Sequence, residues 1–350
     1  MNHGHWIGAL PPQYLFERRR FVGIAVDTPS EEPGSWTGAG KALVDPVSGD
    51  LLLTARPRVA ADGVRGYAAE IYRRTEGDRF QQVASVSKED VARSSGISIY
   101  SIEGTQLLRD PATGRWHFYL SVDTGEGFVW GGINWETLLL TADTLEGPWE
   151  SHGIVLARGE TYDANQARDS SMDIIDGTWT CLYKAMDADR NVRPALAVSS
   201  DGISWEKLGP LTVDGEDRVA FLSGSFLPGS SGPLFVGLES SLADSRSRND
   251  EVAYADEHGI GHGGNHTYAA GYALDQRAGD LRTIYRSYWK PGSEYEHPHY
   301  PLLGYSSIVL DPAGDRYLIF VEAIDAKLTR KIGLNETVER VLLYETRLPG

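Results

Sequence analysis

Across residues 102–149 apolar and polar positions alternate in short runs, and each run ends on turn chemistry. Residues 102–108 are apolar with β propensity, and Asp110-Pro111-Ala112-Thr113-Gly114 then reverses the chain. Residues 116–122 alternate as a second strand and 136–142 as a third, and Gly147-Pro148-Trp149 opens a fourth. The pattern predicts one antiparallel sheet of four strands.

The same hairpin recurs along the chain. Its turns are Asp45-Pro46-Val47-Ser48-Gly49, Asp176-Gly177, Pro228-Gly229 and Asp311-Pro312, each between two apolar runs. The innermost strands begin at residues 38, 103, 168, 223 and 304, which lie 65, 65, 55 and 81 residues apart. Small sheets repeated at this loose period bury their faces only against each other, which is the logic of a propeller. The expectation is an all-β, five-bladed β-propeller with four-stranded antiparallel blades, one domain over residues 1–350, with almost no helix. Residues 21–26 form one extra strand, expected to complete the last blade. Residues 242–265, rich in Asp, Arg, Gly and His, are too long for a hairpin loop and are either a functional insert or a mobile one.

Charge narrows the partners. With 49 acidic against 33 basic residues and a formal net charge of -16, the chain does not suit nucleic acid, and neutral ligands fit better. No stretch is long and apolar enough for a membrane span. Prolines and aromatic residues interrupt the first twenty positions where a signal peptide needs an apolar core, so the expected location is cytoplasmic unless a leader was removed earlier. Cys181, the only cysteine, sits in an apolar run and is expected to be a buried structural thiol.

In a blade, the inner strand starts and the second strand ends on the same face of the disc. That face therefore collects Glu103, Arg168, Asp169 and Tyr305 from strand starts, and Arg56, Arg58, Lys184, Glu239, Glu322 and Asp325 from strand ends. Carboxylates interleaved with Arg, Lys and Trp suit a sugar, whose hydroxyls take bidentate hydrogen bonds and whose rings stack on indoles. The catalytic candidates are Glu103, Asp169, Glu239 and Glu322, with Glu103 and Asp169 the leading pair. Arg56, Arg168 and Lys184 are expected to hold hydroxyls, Trp130 in a glycine-flanked loop to stack a ring, His299 to approach from the rim, and Tyr305 to meet the substrate from its inner-strand start.

Each candidate has a structural alternative. Glu103 can bond a neighbouring backbone, Asp169 can pair with Arg168, and Glu239 and Glu322 can be solvated strand ends. Ser199-Ser200-Asp201-Gly202-Ile203-Ser204-Trp205 is expected to be a structural turn with a packed tryptophan. His258, His262 and His266 are spaced by four, but their glycine neighbours oppose the helix that would align them, so no metal is expected. No phosphate-cradling loop or other cofactor motif is present.

The phrases SIEGTQLLRDPATGRWHFYLS, ARDSSMDIIDGTWTCLYKA and LAVSSDGISWEKLG resemble the five-bladed β-propeller glycoside hydrolases, the arabinanase, fructosidase and levansucrase superfamily. The segment LRTIYRSYWKPGSEYEHPHYPLLGYSSIVLDP with Glu322 and Asp325 is similar to the family 130 β-mannoside phosphorylases. Where those phosphorylases carry Glu-Asp-Pro-Arg, this chain has Glu103-Gly104-Thr105-Gln106. Where arabinanases carry an aspartate on the first inner strand, it has Trp36-Thr37-Gly38-Ala39, with Asp27, Glu31 and Glu32 upstream. The resemblance implies a glycoside hydrolase acting on an arabinan-like or galactofuranose-like oligosaccharide or polysaccharide, with a wide gap between its carboxyl groups and inversion at the anomeric carbon. The alternatives are a β-mannoside phosphorylase or hydrolase, and a non-catalytic glycan-binding propeller. Mouth residues that differ from repeat to repeat point to one central site, which favours an enzyme over a lectin.

Overall fold

The computed structural model describes residues 10–60, 65–125, 133–217, 220–227, 232–241, 266–296, 303–330 and 336–349. Strands dominate. The first group is β1 (Arg20–Val26), β2 (Trp36–Gly38), β3 (Ala42–Val44), β4 (Leu51–Val59), β5 (Arg65–Gly66), β6 (Ala68–Arg74) and β7 (Phe80–Ser87). Next come β8 (Ser101–Arg109), β9 (Trp116–Asp123), β10 (Trp135–Ala142) and β11 (Glu150–Leu156), then β12 (Gln166–Ile175), β13 (Thr178–Met186), β14 (Val192–Ser199) and β15 (Glu206–Pro210). After the short β16 (Thr212–Val213) follow β17 (Ala220–Leu227), β18 (Leu234–Ser241), β19 (His266–Asp275) and β20 (Asp280–Tyr288). The last are β21 (Leu303–Leu310), β22 (Arg316–Ile324) and β23 (Glu339–Arg347).

Antiparallel pairing follows chain order. It joins β8 to β9, β10 and β11, β12 to β13, β14 and β15, and β17 to β18, β19 and β20. In the first repeat the inner strand is broken into β2 and β3, both on β4, which continues to β6 and β7. In the last, β21, β22 and β23 are joined by β1, whose Ile24 lies opposite Leu342. The start of the chain thus supplies the outer strand beside its end.

Three of the hairpin turns share one mechanism. Asp45, Asp110 and Asp311 each accept a backbone N–H two residues on, from Val47, Ala112 and Ala313. Gly49, Gly114 and Gly314 then take the positive φ that closes the turn. The motif legible in the sequence is therefore an Asx turn ending on glycine.

The core is divided among the described residues into five clusters, each between successive repeats. Ile71 and Val86 meet Phe118 and Leu120, Tyr119 and Leu139 meet Cys181 and Tyr183, and Leu182 and Leu196 meet Phe226 and Phe235. Val236 and Leu238 meet Ile308 and Ile319. The fifth cluster packs Leu318 and Phe320 against Leu51 and Leu53, so the last repeat is buried against the first. Burial of Cys181 pushes its thiol up to about 12, in keeping with a structural role.

Among the described residues two short α-helices depart from the strand pattern, α1 (Pro12–Glu17) and α2 (Lys88–Ser95). The signal for α2 lies in Ser87, whose hydroxyl caps the Asp90 N–H at 3.1 Å, and in Gly96, which ends the helix at positive φ. Its one apolar anchor, Val91, is fully buried. The turn at 199–205 is held by Asp201, which accepts the N–H groups of Ile203 and Ser204 at 2.8 Å, while Trp205 donates to the Gly202 carbonyl.

Candidate functional site

Four of the inner strands lose their regular pairing at one level, while β17 pairs with β18 in unbroken register. Register breaks between Ile102 and Thr105, between Arg168 and Ser171, and between Leu303 and Ser306 free Glu103, Asp169 and Tyr305 from the ladder. In the first repeat the strand is interrupted between Gly38 and Ala42, with Ala39 at φ 55. Asp169 takes φ 54, a left-handed conformation uncommon for a non-glycine residue. Bulges re-aim side chains, and here they turn those of several repeats toward a common centre.

Arg56 is the hub of that centre. Its side chain is 0% exposed, and one Nη2 lies 2.6 Å from Glu103 and 3.6 Å from Glu322. Burial works against its charge, but Glu103 and Glu322 more than restore it. Arg58, from the same strand, stacks over Trp36 with its guanidinium carbon 3.9 Å from the ring centroid.

Glu322 comes from the end of β22 and lies across Gly38. A Cβ there would fall 2.1 Å from the Glu322 carboxyl carbon, so only glycine admits it. The Ala39 N–H donates to Glu322 Oε2 at 2.7 Å. The first inner strand thus supplies no carboxylate of its own, and the fifth repeat places one there instead. The upstream acids go elsewhere: Asp27 pairs with Arg340 at 3.2 Å, and Glu31 and Glu32 are exposed.

The site carboxyls have unlike protonation. Burial pushes Glu103 upward, yet Arg56, Arg168, Arg58 and Arg65 outweigh it and hold the carboxyl below its usual value, ionised. Glu339, at the start of β23, is driven well above the usual range by burial and by Glu322, with which it shares a hydrogen bond. Glu339 therefore holds its proton beside Glu322. Sequence reasoning misses Glu339 because it opens a third strand, and only the parallel contact of Trp36 with Glu339 carries it to the mouth.

Asp169 sits deeper, its side chain 0% exposed, with Arg168 Nε at 3.3 Å and Lys184 Nζ at 3.9 Å. Its own N–H donates to Ser121 Oγ at 2.8 Å. Neither carboxylate oxygen receives a hydrogen bond among the described residues, so it acts through charge. Burial and Arg168 pull Lys184 down to about 8, against the opposing effect of Asp169. Tyr305 faces Asp169, Glu103 and Glu322 together, and burial with their charge keeps its hydroxyl protonated.

Of the residues singled out from the sequence, Glu103, Asp169, Glu322, Arg56, Arg168, Lys184 and Tyr305 share this cluster. Glu239 goes to Arg286, in a bidentate pair at 2.8 and 3.1 Å, and to the Tyr272 hydroxyl. Trp130, His299 and the whole 242–265 stretch, His258 and His262 included, lie outside the described residues, as does the side chain of His266. Among the described residues no group of three His, Cys, Asp or Glu side chains is placed to hold a metal. No described helix is long and apolar enough to cross a membrane.

No protein-family model and no curated protein matches the chain. Its fold is shared with solved structures. BT0996, in its RGII complex, has a TM-score of 0.64 at 10% identity, over 95% of this chain and 92% of that protein. A family 117 glycoside hydrolase, Zg3597, from the marine bacterium Zobellia galactanivorans gives 0.58 at 12%, over 95% and 91%. The β-1,2-mannobiose phosphorylase of Listeria innocua, bound to β-1,2-mannobiose, gives 0.53 at 12%, over 89% of each. The chain has the propeller-like fold of these carbohydrate-active proteins.

Proposed function

We propose that this chain is a glycoside hydrolase built as one five-bladed propeller of four-stranded blades, with its active site where the inner strands begin. The observation that carries this is a single cluster, gathered on Arg56, in which Glu103 is held ionised and Glu339, hydrogen-bonded to Glu322, is held protonated. Two carboxyl groups with opposite protonation are what glycoside cleavage needs. The Glu322–Glu339 pair gives its proton to the leaving oxygen as the glycosidic bond breaks, and a Glu103 oxygen bonds the anomeric carbon. Water then releases the sugar, its proton returning to the acid pair.

This assignment shifts the leading roles. Glu103 keeps its place, but the closed-off Asp169 becomes a positioning charge behind Arg168 and Lys184. Glu103 and Glu322 contact the same Arg56 nitrogen at 2.6 and 3.6 Å, so their contacting oxygens lie closer than the roughly 6.5–9.5 Å that an inverting water requires. That favours retention, in place of the wide gap expected for Glu103 with Asp169. The substrate class that the sequence resemblance supports is an arabinan-like or galactofuranose-like furanoside.

A second reading is a β-mannoside phosphorylase, favoured by the cations Arg56, Arg58, Arg168 and Lys184 around one mouth, a set able to hold phosphate. Purified protein incubated with aryl furanosides, aryl mannosides and arabinan, with and without phosphate, tests both. Release of free sugar from furanosides supports the first. Sugar phosphate formed only with added phosphate supports the second, and no cleavage of any substrate removes both.

A further inference from the structure

The axis has a second open end. A cavity of about 260 Å³ is lined by Leu43 of β3, Leu108 of β8, Met172 of β12, Phe226 of β17 and Val309 of β21, one residue or more from every inner strand. On each strand that carries a mouth residue, the cavity residues come later in the chain. Gln106 follows Glu103, Met172 follows Asp169, and Ser307 follows Tyr305. The cavity therefore lies toward the opposite face of the disc from the carboxylate cluster.

Lys41 forms the partition between them. Its buried Nζ donates to Ser223 Oγ at 2.9 Å, to the Gly224 carbonyl at 3.0 Å and to the Ser306 carbonyl at 2.8 Å. Burial pulls Lys41 down to about 7, and these three acceptors take every N–H its Nζ can offer, so Lys41 has none left for a ligand. The other polar groups of the lining are also committed. Gln106 exchanges two bonds with the Met172 backbone, Ser307 Oγ accepts from the Ala42 N–H, and Ser225 Oγ accepts from the Ile308 N–H.

Asp173 is different. One of its oxygens accepts the Ile174 N–H at 2.7 Å, and the other makes no hydrogen bond among the described residues. It forms no ion pair there either, and neither Lys41 nor any other cation perturbs it. Burial alone pushes its carboxyl up to about 6, so it is ionised at pH 8. A mainly apolar cavity with one half-buried carboxylate at its wall, which has no protein counter-ion among the described residues, is complementary to a small cation with an apolar body.

We propose that this far-end cavity is a second ligand site, separate from the catalytic mouth, and that it takes a small alkylammonium compound whose chain lies on the aliphatic lining and whose ammonium pairs with Asp173. The volume of about 260 Å³ lies a little below the usual range for drug-sized ligands of roughly 300–1,000 Å³, which suits a small occupant.

Calorimetric titration of the full-length protein at pH 8 with n-butylammonium, n-butanol and butyrate tests this. The expected result is saturable binding of n-butylammonium at least about tenfold tighter than n-butanol, with butyrate weakest. Asp173→Asn, which keeps volume, should remove the preference for the ammonium. Leu227→Trp should reduce binding of all three, since its indole fills the cavity rim. Glu103→Gln should leave the preference unchanged. Equal affinity for n-butylammonium and n-butanol, or a preference that survives Asp173→Asn, would overturn the proposal. So would a preference that disappears in Glu103→Gln, because the ammonium would then be at the mouth.

Discussion

Glu322 occupies the space that a side chain at Gly38 would need, its carboxyl carbon 2.1 Å from the position of the missing Cβ. Gly38→Ala must therefore displace an enclosed carboxylate and break its bond to the Ala39 N–H. The expected cost is about 1–3 kcal/mol of stability, as for overpacking a tight core, together with loss of glycan cleavage. Glu322→Ala in the same chain should recover most of that stability and none of the activity, because the clash is with Glu322 itself. Additive losses in the double variant, measured by urea unfolding, would show that the two residues do not compete for one space.

The hub should be unforgiving. Arg56 is enclosed and compensates two carboxylates, so Arg56→Met leaves Glu103 and Glu322 without their cation in a buried site. Removing one partner of such a pair costs about 3–5 kcal/mol, whereas an exposed pair costs little. Arg115→Met is the control, since Arg115 pairs with Glu150 at 2.7 Å on the surface. Similar unfolding midpoints for the two variants would contradict the hub assignment.

Protonation of Glu339 gives a pH signature. Its folded-state value is raised above the ordinary 4.5, so the stability it contributes is fully present below that value and is lost as pH rises through the raised one. Activity should follow the same alkaline limb, because the acid pair must hold its proton. Glu339→Gln keeps a donor to Glu322 without titrating, so its melting temperature should fall less on the alkaline side than that of the parent. Parallel melting profiles across that range would remove Glu339 from the acid role.

How far the sequence is legible depends on whether local chemistry decides the outcome. The turns at Asp45, Asp110 and Asp311 are readable because the aspartate, the proline and the glycine that build them are contiguous. The cap of α2 is equally local but short, and its single buried anchor gives no helical periodicity. The bulges at Glu103, Asp169 and Tyr305 leave no composition signal, although strand-start position alone brings those residues forward. Glu339 and the seating of Glu322 over Gly38 are invisible because they depend on the last repeat packing against the first. Glu239 has the same strand-end position as Glu322, and its pairing with Arg286 is set by a residue on β20, well along the chain.

Glu103 and Asp169 differ in reach, and that difference separates direct chemistry from positioning. The Glu103 side chain is 15% exposed at the mouth, while that of Asp169 is 0% exposed behind Arg168 and Lys184. Glu103→Gln and Asp169→Asn both conserve volume, so folding should survive in each. Glu103→Gln removes the ionised oxygen proposed to bond the anomeric carbon and should lower kcat by at least about a hundredfold, with KM little changed. Asp169→Asn leaves the two nearest cations without their counter-charge, so hydroxyl binding weakens and the loss should appear mainly in KM. A kcat for Asp169→Asn as low as that for Glu103→Gln, at unchanged KM, would instead place Asp169 on the reacting atoms beside Glu103.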